Sequence, residues 1–220
     1  MQLTYAPAQA LMPRWSSDGK AILFFEAEAN KRFKVYEVLR EGGSPRQLMP
    51  DNPAPQADPN WSPDGGKIVF AGGSGGDPSS SIQILDLATH QISTLPGSQG
   101  MYSPRWSPDG RYIPALSPDA TRLVVFDFQT RKWTELAKGS MGWLEWSKDG
   151  QYLQALDGSG TGAVIRVRLS DHKTERLVDL KNIATVGYYS QWFAVAPDDS
   201  PIMLRNAGTQ DVYALDWEEP

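Results

Sequence analysis

One short motif recurs through the chain and constrains its fold more than any other feature. Trp15-Ser16-Ser17-Asp18-Gly19 is followed by Trp61-Ser62-Pro63-Asp64-Gly65, Trp106-Ser107-Pro108-Asp109-Gly110 and Trp146-Ser147-Lys148-Asp149-Gly150. A worn fifth copy reads Val195-Ala196-Pro197-Asp198-Asp199. The aspartates at 18, 64, 109, 149 and 198 lie 46, 45, 40 and 49 residues apart. That spacing matches a four-stranded propeller blade, roughly 40–45 residues. Where present in a copy, Pro presets φ and Gly takes the left-handed position that closes the turn, while Asp, common to all five, bonds its local backbone.

The segments around the motif complete such a blade. A strand runs in and ends at Trp, and another runs out with period-two alternation at Ile22 and Phe24, Ile68 and Phe70, Tyr152 and Leu156. A third strand follows a loop bearing Gly, Ser or Asp: Val35–Val38, Ile82–Leu85, Leu123–Phe126, Val164–Val167 and Val212–Leu215. A fourth ends at Gln47-Leu48, Thr94-Leu95, Glu135-Leu136 and Arg176-Leu177. The fifth unit has no fourth strand, whereas Gln2-Leu3-Thr4 reads like the end of one. The expectation is an all-β propeller, one domain over 1–220. Its blades fall near 8–50, 51–97, 98–138, 139–180 and 181–217, the last completed by the N-terminal strand at 1–5. A piece of a larger propeller shows the same strand phase, but five blades with nothing left over favour the ring.

Composition narrows the function classes. Among 220 residues, 40% are hydrophobic and 21% charged, an ordinary globular balance. The net charge of −5 argues against nucleic-acid binding by this domain alone. With no cysteine there is no disulfide, thiolate metal site or cysteine nucleophile. No apolar run reaches the length of a membrane span, so no membrane insertion by this chain is expected, and Met1–Pro7 lacks the pattern of a signal peptide.

The residues that could carry chemistry are few. His90 and His172 fall in turns between third and fourth strands and build no triad or metal site. Gly72-Gly73-Ser74-Gly75-Gly76 spells G-x-S-x-G, but it joins two antiparallel strands rather than a strand and a helix, so it reads as a glycine loop. Gly158-Ser159-Gly160-Thr161-Gly162 is its counterpart in the fourth unit. The repeated aspartates read as turn formers, and Trp15, Trp61, Trp106 and Trp146 as packing between blades. Lys31-Arg32-Phe33-Lys34 reads as a solvated basic loop. No cofactor or metal is expected. A ligand would sit at the channel mouth, on the loops 51–59, 99–104, 139–142 and 188–191. Arg14, Asn60, Arg105 and Glu145, each just before the repeat tryptophan or its equivalent, are candidates together with Tyr102, Tyr189 and Gln191; Tyr188 and Trp192 add aromatic area. These polar residues also suit the plainer role of satisfying one another.

The W-S-P-D-G turn, the Ile-x-Phe strand and the Ile-x-x-Leu-Asp-Leu strand resemble the TolB-type, WD40-like propeller repeat over nearly the whole chain. The stretches Trp106 to Leu136, Met141 to Leu180, Ala196 to Pro201 and Gly208 to Trp217 resemble the propellers of a bacterial group common in acidobacteria. There the propeller follows a winged-helix or serine/threonine kinase domain, neither of which is present here. The resemblance implies a non-enzymatic sensor or docking module of a bacterial signalling or transcriptional regulatory protein, with a protein or peptide as partner. It leaves the compartment open, leaning towards the periplasm. The rival readings are a free-standing TolB-like scaffold of the cell envelope and a gating or catalytic propeller of a hydrolase.

Overall fold

A computed structural model describes residues 3–4, 9–27, 31–73, 75, 77–159, 162–183 and 193–204. Its strands are all antiparallel to their neighbours and no helix occurs among the described residues. The first blade is β1 (Gln9–Trp15), β2 (Ala21–Ala27), β3 (Lys34–Leu39) and β4 (Arg46–Gln47), paired in chain order. The second is β5 (Ala57–Trp61), β6 (Lys67–Ala71), β7 (Ile82–Asp86) and β8 (Ile92–Thr94). In the third, β9 (Tyr112–Leu116), β10 (Arg122–Asp127) and β11 (Lys132–Lys138) form the sheet, and the expected first strand shrinks to one bridge between Tyr102 and Leu116. The fourth is β12 (Met141–Trp146), β13 (Tyr152–Asp157), β14 (Ala163–Arg168) and β15 (Thr174–Asp179). A fifth sheet contains β16 (Phe193–Val195) and β17 (Pro201–Met203). Four blades and this two-stranded sheet thus stand among the described residues. The third strand expected at 212–215 and Gln2 of the closing strand lie outside them.

The blades stack face to face. Leu23, Phe25 and Val35 of the first blade pack against Ile68, Phe70 and Leu85 of the second. The alternate residues Val69, Ile82 and Ile84 face Ile113, Ala115, Val124 and Phe126 of the third. Leu116, Leu123 and Val125 then meet Leu144, Leu153 and Ala155 of the fourth, and Leu156 and Val164 meet Phe193 of the fifth sheet. Because each inner sheet is covered on both sides, the middle strands are apolar throughout rather than alternating, as in Ile68-Val69-Phe70-Ala71. The packed faces supply the main stabilisation, at about 25 cal/mol per Å² of apolar surface removed from water.

In its first four copies the repeated motif closes the turn between the first two strands of a blade in one way. The Asp64 carboxylate accepts hydrogen bonds from the Ser62 hydroxyl (2.5 Å) and the Gly66 N–H (3.0 Å), while the Ser62 hydroxyl oxygen accepts from the Lys67 N–H (2.8 Å). Asp18, Asp109 and Asp149 do the same with Ser16, Ser107 and Ser147. The serine hydroxyl, followed by the backbone N–H, holds Asp18, Asp64 and Asp149 below the usual carboxylate range.

Adjacent turns also touch. Pro63 lies 3.4 Å from where a Cβ on Gly110 would stand, and Pro108 makes the corresponding 3.6 Å approach at Gly150, both glycines having positive φ. The fourth and fifth copies depart from this together by a paired exchange. Lys148 replaces the proline and donates its N–H to the carboxylate of Asp199 (2.8 Å), which occupies the glycine position at φ 65°. A hydrogen bond thereby replaces the Pro–Gly contact between the fourth blade and the fifth sheet.

Three of the four tryptophans sit between blades. The Trp61 indole donates to the Arg14 carbonyl and the Trp146 indole to the Arg105 carbonyl, while Trp106 packs beside the second-blade apolar cluster. Trp15 corrects the expectation, being 56% exposed. Each repeat tryptophan leans on the preceding blade, and no described blade precedes the first.

Candidate functional site

The innermost strands share a backbone feature that sequence reading missed. Three residues before each tryptophan, the chain enters the left-handed region: Met12 (φ 50°), Asp58 (φ 50°), Ser103 (φ 54°) and Trp143 (φ 55°). In β1, β5 and β12 this is where pairing with the neighbouring strand shifts register. Left-handed non-glycine residues are uncommon, and a bulge re-aims the side chains on either side of it. The visible signal was the run Met12-Pro13-Arg14-Trp15, Asp58-Pro59-Asn60-Trp61, Ser103-Pro104-Arg105-Trp106. Proline has no N–H to contribute to a ladder, so it fits a bulge.

The bulges bring charged residues from four blades to the axis. Arg14 Nη1 donates to Glu145 Oε1 at 2.5 Å, linking the first and fourth blades. Arg105 Nη1 lies 2.7 Å from Asp58 Oδ1 and donates to the Pro104 carbonyl at 2.8 Å. Arg105 and Asp58 are 2% and 5% exposed. Burial would pull Arg14 down, but Glu145 and Asp58 outweigh it and hold its pKa above the ordinary value. At Arg105 burial prevails, reinforced by Arg14 against the attraction of Asp58 and Glu145, and the pKa falls. Two positive and two negative side chains therefore meet between the inner strands with no net charge.

Beside these charges lies a cavity of about 330 Å³. Met12, Asp58, Ser103 and Trp143, the four left-handed residues, all line it. Phe25, Phe33, Met141 and Leu116 make its walls largely apolar, and Arg105 and Tyr102 complete the polar side. Burial, and to a lesser extent Asp119, raises the Tyr102 phenol above its usual value. A glycine is required over Tyr102: a Cβ at Gly75 would come within 2.9 Å of the ring.

The expected site residues separate into distinct roles. Arg105 and Tyr102 line the cavity. Arg14 and Glu145 are spent on each other. The Asn60 side-chain oxygen accepts from the Trp106 N–H at 2.7 Å and joins the second blade to the third. Tyr188, Tyr189, Gln191 and Trp192 lie outside the described residues. Asp58 fell within an expected loop but was not singled out. Its importance depends on a partner 47 positions away that no local pattern marks.

Other expectations resolve plainly. His90 and His172 are exposed and occupy left-handed positions in the turns expected for them. Ser74 lies outside the described residues. Lys31-Arg32-Phe33-Lys34 is not simply a solvated basic loop: Arg32 donates to the Pro53 carbonyl, Lys34 donates to the Asn52 and Ala54 carbonyls, and Phe33 packs edge-on against Phe25. Burial, then Arg32, lowers the Lys34 pKa. A further Ser-Pro-Asp turn, Ser117-Pro118-Asp119, joins β9 to β10 and places Ala120 at φ 57°. With no tryptophan before it and no glycine after, it escaped the repeat pattern. Among the described residues no group of His, Cys, Asp or Glu is arranged to hold a metal ion, and no helix is long and apolar enough to cross a membrane.

No protein-family model matches the chain. It is 31% identical over 106 residues to the Tol-Pal system protein TolB of Francisella tularensis subsp. mediasiatica, covering 44% of this chain and 24% of the relative. The uncharacterized peptidase YuxL of Bacillus subtilis is 35% identical over 66 residues, 30% of this chain and 10% of the peptidase. Among solved structures, TolB from Acinetobacter baumannii superposes with a TM-score of 0.70 at 20% identity, covering 87% of this chain and 47% of TolB. The fold is a TolB-like β-propeller. The chain spans about a quarter of the TolB relative it matches in sequence.

Proposed function

We propose that this propeller is a non-enzymatic protein-binding module that receives a partner polypeptide at the channel mouth. The observation that carries this reading is the cavity's construction, with aromatic and methionine walls over a neutral ion-paired floor. Such a lining offers contact area, orientation and little free charge. Among the described residues lining the cavity there is no histidine or cysteine, and the acid, Asp58, is paired with Arg105, which supports a binding rather than an acyl-transfer role. The five motif copies support a five-bladed ring closed by the N-terminal strand, and the likeness to TolB supports its acting as a cell-envelope scaffold. The resemblance of the C-terminal stretches supports the same module in a bacterial signalling or regulatory protein. The mass of the native protein in its source cells separates these settings: a band far above 24 kDa favours the fused sensor, and one at 24 kDa the free scaffold.

Site-specific photocross-linking in cells tests the binding reading. A photoreactive residue at Trp143 is expected to form discrete protein adducts that one at His90, an exposed turn residue, does not. Equal labelling at both positions would overturn it. The YuxL likeness motivates a second assay, in which turnover of esters or peptides abolished by Asp58→Asn would move the chain to the enzymes.

A further inference from the structure

The cavity floor holds unused hydrogen-bonding capacity of both signs. Asp58 and Arg105 form a close ion pair through Asp58 Oδ1, yet Asp58 Oδ2 and the Arg105 Nε–H have no hydrogen-bond partner. Buried polar groups are nearly always satisfied, and two adjacent exceptions in one cavity wall call for an occupant. That occupant must donate to the carboxylate and accept from the guanidinium. It must also be uncharged, because the four axial charges already balance and an added charge would be desolvated without a counter-ion.

We propose that the channel-mouth cavity recognises an uncharged carboxamide, presented by an asparagine or glutamine side chain of the partner. The amide N–H₂ donates to Asp58 and its carbonyl accepts from Arg105, while the attached carbons meet Phe25, Phe33 and Trp143. Ammonium and guanidinium groups satisfy Asp58 but face Arg105 and Arg14. Carboxylates do the reverse. The assignment rests on the protein-binding reading and specifies what the partner must carry.

Three compounds of one shape test it: benzamide, benzoate and benzamidine. They share a phenyl ring that suits the aromatic wall and differ in charge and hydrogen-bond pattern. Met12 and Met141 line the cavity, so their methyl NMR signals report binding directly. Benzamide is expected to shift both signals saturably and to bind roughly tenfold or more tightly than either charged analogue. Asp58→Asn is expected to abolish that preference; if the variant does not fold, the ratio measured in the unaltered chain decides. Equal binding of all three, or preference for a charged one, overturns the carboxamide assignment. So does no binding by any, which leaves ordered water as the occupant of the floor. Partner adducts formed at Trp143 despite such a failure would leave the protein-binding reading standing.

Discussion

At one end of β1, β5 and β12 the chain turns through Ser-x-Asp with the same hydrogen bonds in every blade. Near the other end the backbone repeats just as closely, φ 50°, 50° and 55°, but the side chains there are methionine, aspartate and tryptophan. The turn end keeps its residues because their chemistry makes the turn. At the bulge only the backbone shape is needed for the fold, so the side chains are free to differ, and those three differing side chains, with Ser103, surround the cavity. Repetition of geometry without repetition of chemistry thus distinguishes the cavity end of these blades from their scaffolding end.

The contrast predicts unequal costs. Arg105→Met leaves Asp58 buried without its counter-charge and should lower stability by about 3–5 kcal/mol in chemical denaturation. Adding Asp58→Leu to that variant should restore most of the loss; if it does not, the pair contributes more than mutual neutralisation. At the scaffolding end, Lys148→Pro removes the N–H that Asp199 accepts and should cost about 1–3 kcal/mol. The double change Lys148→Pro with Asp199→Gly recreates the Pro–Gly contact of the neighbouring turns and should recover it, as a double-mutant cycle would show. Ser62→Ala deletes one turn's hydroxyl and should cost about 1 kcal/mol, with ligand binding unchanged.

The smallest effect concerns acid. The Ser117 hydroxyl holds Asp119, and the Arg111 guanidinium holds Asp127, at pKa about 2. Both lie below an unfolded value of about 3.9, so their stabilisation is present above that pH and is lost as pH falls through about 2. Thermal unfolding from pH 5 to pH 2 should show a modest decline, reduced by Asp119→Asn. Since Asp119 is exposed, its share of the decline should shrink in high salt.

How far the sequence revealed this follows from the range of each interaction. The Ser-x-Asp turns and the third strands were readable because every partner lies within a few residues. The bulge was readable in principle from the Xaa-Pro-polar-Trp run, but it looked like a loop because proline breaks a strand pattern. Asp58 and Arg105, or Arg14 and Glu145, could not be matched from pattern alone, since stacking of whole blades decides which inner strands meet. Arg14, Arg105 and Glu145 were picked out by position, and satisfying one another was among the roles expected of them, but which residue pairs with which emerged only from the stacked blades. Trp15 shows the converse: a motif residue can match its copies in sequence and still lack their environment.

The bond between Arg14 and Glu145 joins residues 131 positions apart. Closing so long a loop is entropically slow, and it requires the first and fourth blades to be in place already. Such a contact belongs after the folding barrier rather than before it. Interactions absent from the transition state chiefly govern how fast the native state is lost. This pair should therefore act as a clasp between the first and fourth blades, extending the native state's lifetime while leaving the speed of assembly almost untouched.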